Sequence, residues 1–346
     1  MRVAIHKNDE IFKHSTLWTQ PWIQYCEKNN IEFEVVNCFD SSMLEQLKDF
    51  DCLLWHFSNY ALQDMLFART ILNSANQMGI KVFPDFNTSW HFDDKIAEYY
   101  LLQSIGSPIP ESWVFYTKQD CLNWLDNQNN YPFVAKLKCG SGSQNVKLLK
   151  KKSSAVSYVN KMFRNGFRNT PSILFKATSN IKSSKNLATY IKRFKRIPDF
   201  YNTWRAAKKA PRENGYVYFQ EFIPNDGYDI KIIVIGDKLT FINRTVRKGD
   251  FRASGGGAFN YNKDLVSEDI IKSAFEVNDK LGFQCMGYDY VVDSRTKTGK
   301  IIEISYGFSH IALMGAGGYW DRDSVWHDEP LNAPEEVLSN LVKVSN

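Results

Sequence analysis

Two carboxylates sit where carboxylates are costly. Asp289 stands among Met286, Tyr290 and Val291, and Glu303 lies between Ile302 and Ile304, each inside an otherwise apolar run. A charge on such a strand must be paired, hydrogen-bonded or bound to a cation. The two runs, 288–292 and 300–304, flank a polar turn and read as a β-hairpin, so the carboxylates would face each other. That is a hard-oxygen site, suited to Mg²⁺ and not to zinc. Two solvent-facing strand residues would give the same pattern, so the pair has to be read with its neighbours.

Those neighbours are cationic and glycine-rich. Lys136 stands near the end of an apolar strand, 132–138, and Gly140-Ser141-Gly142-Ser143 follows directly. A lysine beside a glycine-serine loop can hold phosphate oxygens while backbone N–H groups cover them, although glycine turns after strands are common. Further on, Lys231, Arg244, Arg247 and Arg252 flank Gly249-Asp250-Phe251 and the run Gly255-Gly256-Gly257. Cations on adjacent strands beside a glycine run suit a polyphosphate. The six histidines and six cysteines show no metal-type spacing, which argues for reduced thiols in a cytosolic protein. His91 and His310, near these motifs, read as structural or hydrogen-bonding residues.

The elements that must hold these side chains fall into three units. Residues 1–92 alternate strands (2–5, 33–36, 52–55, 81–83) with helices (15–29, 41–48, 60–78). This alternation predicts an α/β, Rossmann-like domain with a parallel sheet. No G-x-G-x-x-G follows its first strand, so nothing points to a dinucleotide. Residues 93–215 form a smaller α+β unit. In it Asp93 and Asp94 can cap a helix ending near Ile105, and strands 132–138 and 146–150 flank the glycine turn. Residues 216–346 open on an apolar strand, 216–223, followed by a hairpin around Gly236-Asp237. Then comes a helix that Ser267 begins and Gly282 ends, and the carboxylate hairpin.

The run Phe219-Gln-Glu-Phe-Ile-Pro-Asn-Asp-Gly-Tyr-Asp-Ile-Lys-Ile-Ile-Val-Ile-Gly236, with Gly249-Asp-Phe-Arg252 and the triple glycine, resembles the ATP-grasp superfamily. It is most similar to the branch holding the ribosomal-protein glutamate ligase and glutathione synthetase. The likeness spans roughly Phe92 to His310, apart from a basic insertion. The resemblance implies a Rossmann-like pre-grasp domain followed by an α+β ATP-grasp unit of lid and catalytic subdomains. It implies ATP with one or two Mg²⁺ ions, and transfer of the γ-phosphoryl group to a carboxylate that an amine then attacks. By the same resemblance Lys95 and Lys136 contact phosphates, and Gly140, Ser141, Gly142 and Ser143 form the lid loop. Gln220, Glu221 and Ile223 read adenine, and Asp229 holds the ribose. Lys231 and Arg252 lie near the transferred phosphate, and Asp289, Glu303 and Ser305 hold metal. The family pattern at that last strand is Glu-x-Asn, whereas this chain has Glu303-Ile304-Ser305; a serine hydroxyl is a shorter neutral oxygen donor.

The net charge of +5 is unevenly spread. The segment 166–213 carries twelve Lys/Arg against Asp199 and Glu213, a net +10, which leaves about −5 for the rest. It reads either as a solvated excursion of the lid or as an extension recognising an anionic substrate, such as a uronic-acid glycan, a nucleotide sugar or an acidic peptide. No nucleic-acid-binding motif accompanies it. The tail Gly317 to His327 is aromatic and charged, and reads as a wall of the acceptor pocket or as a homodimer contact. No run approaches the ~18 apolar residues of a membrane span, and a cytoplasmic location is expected. Three activities stay open: a ligase on a small molecule or polysaccharide precursor, a protein- or peptide-modifying ligase, and an ATP-binding scaffold in which Ser305 marks lost turnover.

Overall fold

The computed structural model describes residues 1–7, 18–59, 61–140, 145–168, 212–246 and 258–343. Arg252, Ser141, Gly142, Ser143 and most of the basic insertion lie outside them. The first unit holds strands β1 (Arg2–His6), β2 (Glu32–Val36), β3 (Cys52–Leu54) and β4 (Lys81–Phe83), all parallel, in the order β2-β1-β3-β4. Parallel neighbours need crossovers, which α1 (Thr19–Lys28), the short α2 (Met43–Gln46) and α3 (Leu62–Gln77) provide. Val3, Ala4, Ile5, Cys52, Leu53 and Leu54 are all fully buried, as strands covered on both faces require.

After α4 (Phe86–Ser89), helix α5 (Lys95–Ser104) starts where Asp94 accepts hydrogen bonds from the Ile96 and Ala97 N–H groups, at 3.2 and 3.1 Å. Asp93, the other expected cap, turns away with φ +61° and accepts instead from Gly140 N–H at 3.0 Å. The unit expected from the sequence to be the lid then runs through β5 (Ser112–Phe115), α6 (Lys118–Asp126), β6 (Phe133–Lys136), β7 (Val146–Leu149), α7 (Lys152–Met162), β8 (Phe167–Arg168), β9 (Arg212–Glu213) and β10 (Val217–Glu221). Its antiparallel sheet has the order β5-β10-β6-β7. Strand β10, on the far side of the boundary drawn at 215/216, pairs with β5 and β6 in this sheet. This sheet and its helices bury a core of their own, around Cys121, Leu125, Ala135, Val159, Met162, Val217 and Phe219.

The seven-stranded sheet, called the catalytic sheet after the subdomain expected from the sequence, is built from β11 (Tyr228–Ile235), β12 (Lys238–Thr245), β13 (Phe259–Asn260), β14 (Cys285–Val292), β15 (Gly299–Ser305), β16 (Tyr319–Trp320) and β17 (Trp326–His327). Its order is β15-β14-β11-β12-β16-β17, with β13 also on β12. Helix α8 (Glu268–Leu281) packs on one face through Ile270, Ile271, Ala274 and Phe275, and ends at Gly282 with φ +64°. Ser267 is at its N-cap position but makes no capping bond; Glu268 and Asp269 in the first turn complement the helix dipole instead. Tyr288 and Tyr290 reach α8 through Asn278 and Ser273, at 3.0 and 2.8 Å. Side chains alternate along a strand, so Asp289 must point from the other face, into the cleft. The aromatic tail forms β16 and β17, with Trp320 opposite Leu239 at the far end of β12 from Arg244. After α9 (His310–Leu313), α10 (Ala333–Lys343) closes the chain against α1, where Trp22 Nε1 donates to Pro334 O at 3.0 Å. The first unit and the catalytic sheet share one hydrophobic core. Among the described residues no helix is long and apolar enough to cross a membrane.

Candidate active site

On the open face of the catalytic sheet, Lys231, Asp289 and Glu303 stand directly opposite one another on β11, β14 and β15. Lys231 Nζ lies 2.6 Å from Asp289 Oδ1. Two residues along β11, fully buried Asp229 pairs with Arg244 of β12, whose guanidinium takes both its oxygens. The same guanidinium reaches Asp289 Oδ2 at 2.8 Å. Burial alone would raise the Asp289 pKa, but Arg244 and Lys231 outweigh it and hold the carboxyl below its ordinary range. Gly287 lies opposite Ser305, where a Cβ would come within 2.8 Å of the Ser305 carbonyl oxygen and 3.4 Å of Lys231 Nζ. Only glycine leaves that space open.

A second charged group meets this row from the lid side. Lys95, at the start of α5, donates to Gly140 O at 2.7 Å and lies 3.3 Å from Glu303 Oε1. One turn along α5, Glu98 is buried and accepts from Ile304 N–H at 3.3 Å. Lys95 is buried too, which penalises its charge, but Glu303, Glu98 and Asp93 together hold its pKa above the ordinary value. Lys136, from β6, donates to Ile302 O at 2.9 Å. Burial pulls its ammonium down to about 8, against the opposing pull of Glu303. Burial likewise pushes the Glu98 carboxyl up to about 8, against the pull of Lys95.

Between lid and sheet lies a small apolar seat. Ile223 packs with Val291, flanked by Val246 and Ile302. Ile302 enters the cleft because the β14–β15 ladder shifts register between Asp289 and Tyr290. Gln220 is buried and donates through Nε2 to Ser112 Oγ at 3.1 Å and Tyr218 Oη at 3.2 Å. Glu221 is half-exposed, 3.9 Å from Arg295. Ser305 Oγ accepts from Gly307 N–H at 3.1 Å and so closes a tight turn.

Lys95, Lys136, Gly140, Lys231, Asp289, Glu303 and Ser305 thus meet around one cleft, with Ile223 at its edge. Three expected residues do not join them: Gln220 spends its amide on Ser112 and Tyr218, Glu221 faces Arg295, and fully buried Asp229 has both oxygens engaged by Arg244, which it orients. Sequence reading missed Glu98, whose only signal was its i,i+3 spacing from Lys95. Among the described residues no three His, Cys, Asp or Glu side chains are grouped to hold a metal. The two cross-strand carboxylates nevertheless fit Mg²⁺, which is commonly held by one or two carboxylates with phosphate and water completing its octahedron.

No protein-family model and no curated protein matches the sequence. Solved structures do. A RimK-domain ATP-grasp protein from Sphaerobacter thermophilus is 14% identical, with a TM-score of 0.55 over 99% of this chain and 100% of that one. D-alanine–D-alanine ligase from Bacillus anthracis, complexed with ATP, is 14% identical, with a TM-score of 0.58 over 100% and 97%. The ATP-grasp ligase PsnB, complexed with precursor peptide and AMPPNP, is 12% identical, with a TM-score of 0.55 over 99% and 97%. The chain has the ATP-grasp fold.

Proposed function

We propose that this protein is an ATP- and Mg²⁺-dependent ligase that activates a carboxylate as an acyl phosphate and joins it to an amine. The observation that carries the reading is the row Lys231–Asp289–Glu303 on the catalytic sheet, faced by Lys95 and Lys136 from the lid side. Phosphoryl transfer asks a protein mainly for positioning and charge neutralisation, and this cleft concentrates both. No protein nucleophile is needed.

In this scheme the adenine rests on Ile223, Val291 and Ile302, with the Glu221–Ile223 backbone beside it. Lys95, Lys136 and the Gly140 turn hold the polyphosphate. Asp289 and Glu303 would hold one or two Mg²⁺ ions, with Ser305 as a neutral oxygen donor. Bound there, Mg²⁺ supplies charge neutralisation on the phosphate oxygens. The substrate carboxylate oxygen attacks the γ-phosphorus, and the β–γ bridging oxygen leaves with ADP. The amine nitrogen then attacks the acyl carbon, loses a proton, and phosphate departs. Lys231, on the row, and Arg252, outside the described residues, are the cations assigned to the transferred group.

The acid and the amine are open. A glycan or nucleotide-sugar acceptor rests on the charge of segment 166–213 alone, and a peptide acceptor uses the same ATP half. The deciding assay is ADP release across a panel of acids and amines, with mass spectrometry of the products. Release that requires both an acid and an amine, and is lost in Lys136→Ala, supports a ligase. Nucleotide binding with no turnover on any pair would make the protein a scaffold.

A further inference from the structure

The two carboxylates assigned to metal already carry cations. Asp289 has Lys231 Nζ 2.6 Å from one oxygen and Arg244 2.8 Å from the other, and Glu303 has Lys95 at 3.3 Å. A dication entering beside an ammonium and a guanidinium at such distances meets direct repulsion, strengthened because the pairs are shielded from water. The three cations differ in their freedom. Arg244 is fixed from behind by Asp229, which engages its planar fork with both oxygens. Lys231 and Lys95 are single ammonium groups on flexible stems, and a polyphosphate offers each a stronger partner than one carboxylate.

From this geometry we infer that the divalent cation enters only with, or after, the nucleotide: Lys231 and Lys95 lock Asp289 and Glu303 until phosphate draws them away. The inference rests on the nucleotide reading above and specifies how that site is loaded. Asp289 would be released on one oxygen only, since Arg244 stays, so it would bind metal through Oδ1. Gly287 leaves the lateral space into which the Lys231 ammonium fits.

Mn²⁺ serves as the probe, titrated by electron paramagnetic resonance into the full chain without nucleotide. The wild type is expected to bind Mn²⁺ weakly, and Lys231→Met more tightly by about 5- to 150-fold, the usual range for coupling between two ligands. Lys95→Met reports the same effect at Glu303 and stands in if Lys231→Met does not fold, as judged by its melting curve. A tight Mn²⁺ site in the free wild type overturns the lock. So does an unchanged affinity in a folded lysine variant. ADP binding at saturating Mg²⁺, measured by calorimetry, separates the two ideas. Its absence removes the nucleotide reading itself, whereas ADP binding alongside a tight free Mn²⁺ site removes only the lock.

Discussion

The ammonium of Lys136, carried by the lid sheet, lies 2.9 Å from the carbonyl oxygen of Ile302 on the catalytic sheet, one residue before Glu303. The contact ties the lid to the strand that carries the outer carboxylate. It also leaves Lys136 buried with a backbone carbonyl as its hydrogen-bond partner.

Burial lowers the Lys136 pKa to about 8, so the free protein loses this charge as pH rises through that value. Nucleotide affinity should therefore fall between about pH 7 and 9, and calorimetric titration with ADP would record it. Lys136→Met should flatten that limb. Glu98 titrates in the same window, so a limb that persists in Lys136→Met would transfer the effect to Glu98. For stability the sign is opposite. The depressed lysine favours its neutral form in the fold, so its cost is present below about pH 8 and relieved as pH rises toward 10.5.

Asp289→Asn should destabilise the fold more than Glu303→Gln. The first substitution leaves Lys231 and Arg244 facing a neutral amide in a buried setting, and breaking such a pair costs about 3–5 kcal/mol. Glu303 is more exposed, and its partner Lys95 keeps Gly140 O. Urea unfolding of both variants measures the order; both should lose Mg²⁺-dependent nucleotide binding.

Gly287→Ala tests the close approach of β14 to Ser305. The added methyl meets a backbone oxygen at 2.8 Å, which a side-chain rotation cannot relieve. A loss of about 1–3 kcal/mol is expected from overpacking, read from the urea midpoint. An unchanged midpoint would show that the two strands can part without cost.

Ser305→Asn restores the Glu-x-Asn pattern at the carboxylate strand. A longer amide oxygen should reach the metal directly, so half-saturation should need less Mg²⁺, by up to about tenfold. The measurement is the Mg²⁺ dependence of ADP binding. A rise in the Mg²⁺ requirement would instead assign Ser305 to the turn it closes on Gly307.

The carboxylate hairpin was legible because it is local: two apolar runs flanking a polar turn pair with each other, and that pairing sets Asp289 opposite Glu303. The Asp94 cap was legible for the same reason. The hairpin around Gly236-Asp237 sets Asp229 opposite Arg244 just as directly, but that the guanidinium engages this carboxylate from within a buried site is decided by tertiary packing, and so the role of Asp229 was missed. Glu98 escaped notice because a glutamate on a helix is ordinary until tertiary packing buries it. The assignment of β10 to the lid sheet escaped too, since its apolar run suits either sheet and only long-range pairing with β5 and β6 decides.

The separate core of the lid has a consequence for how the molecule fails. Cores that share few side chains can open at different free energies, and here the lid sheet packs around Phe219 and Met162, apart from the core that the first unit and the seven-stranded sheet share. Heat or denaturant can therefore open the sheet that carries Lys136 while the row Lys231–Asp289–Glu303 stays assembled. Amide protons of the lid strands should exchange in one block, ahead of those in β11 and β14.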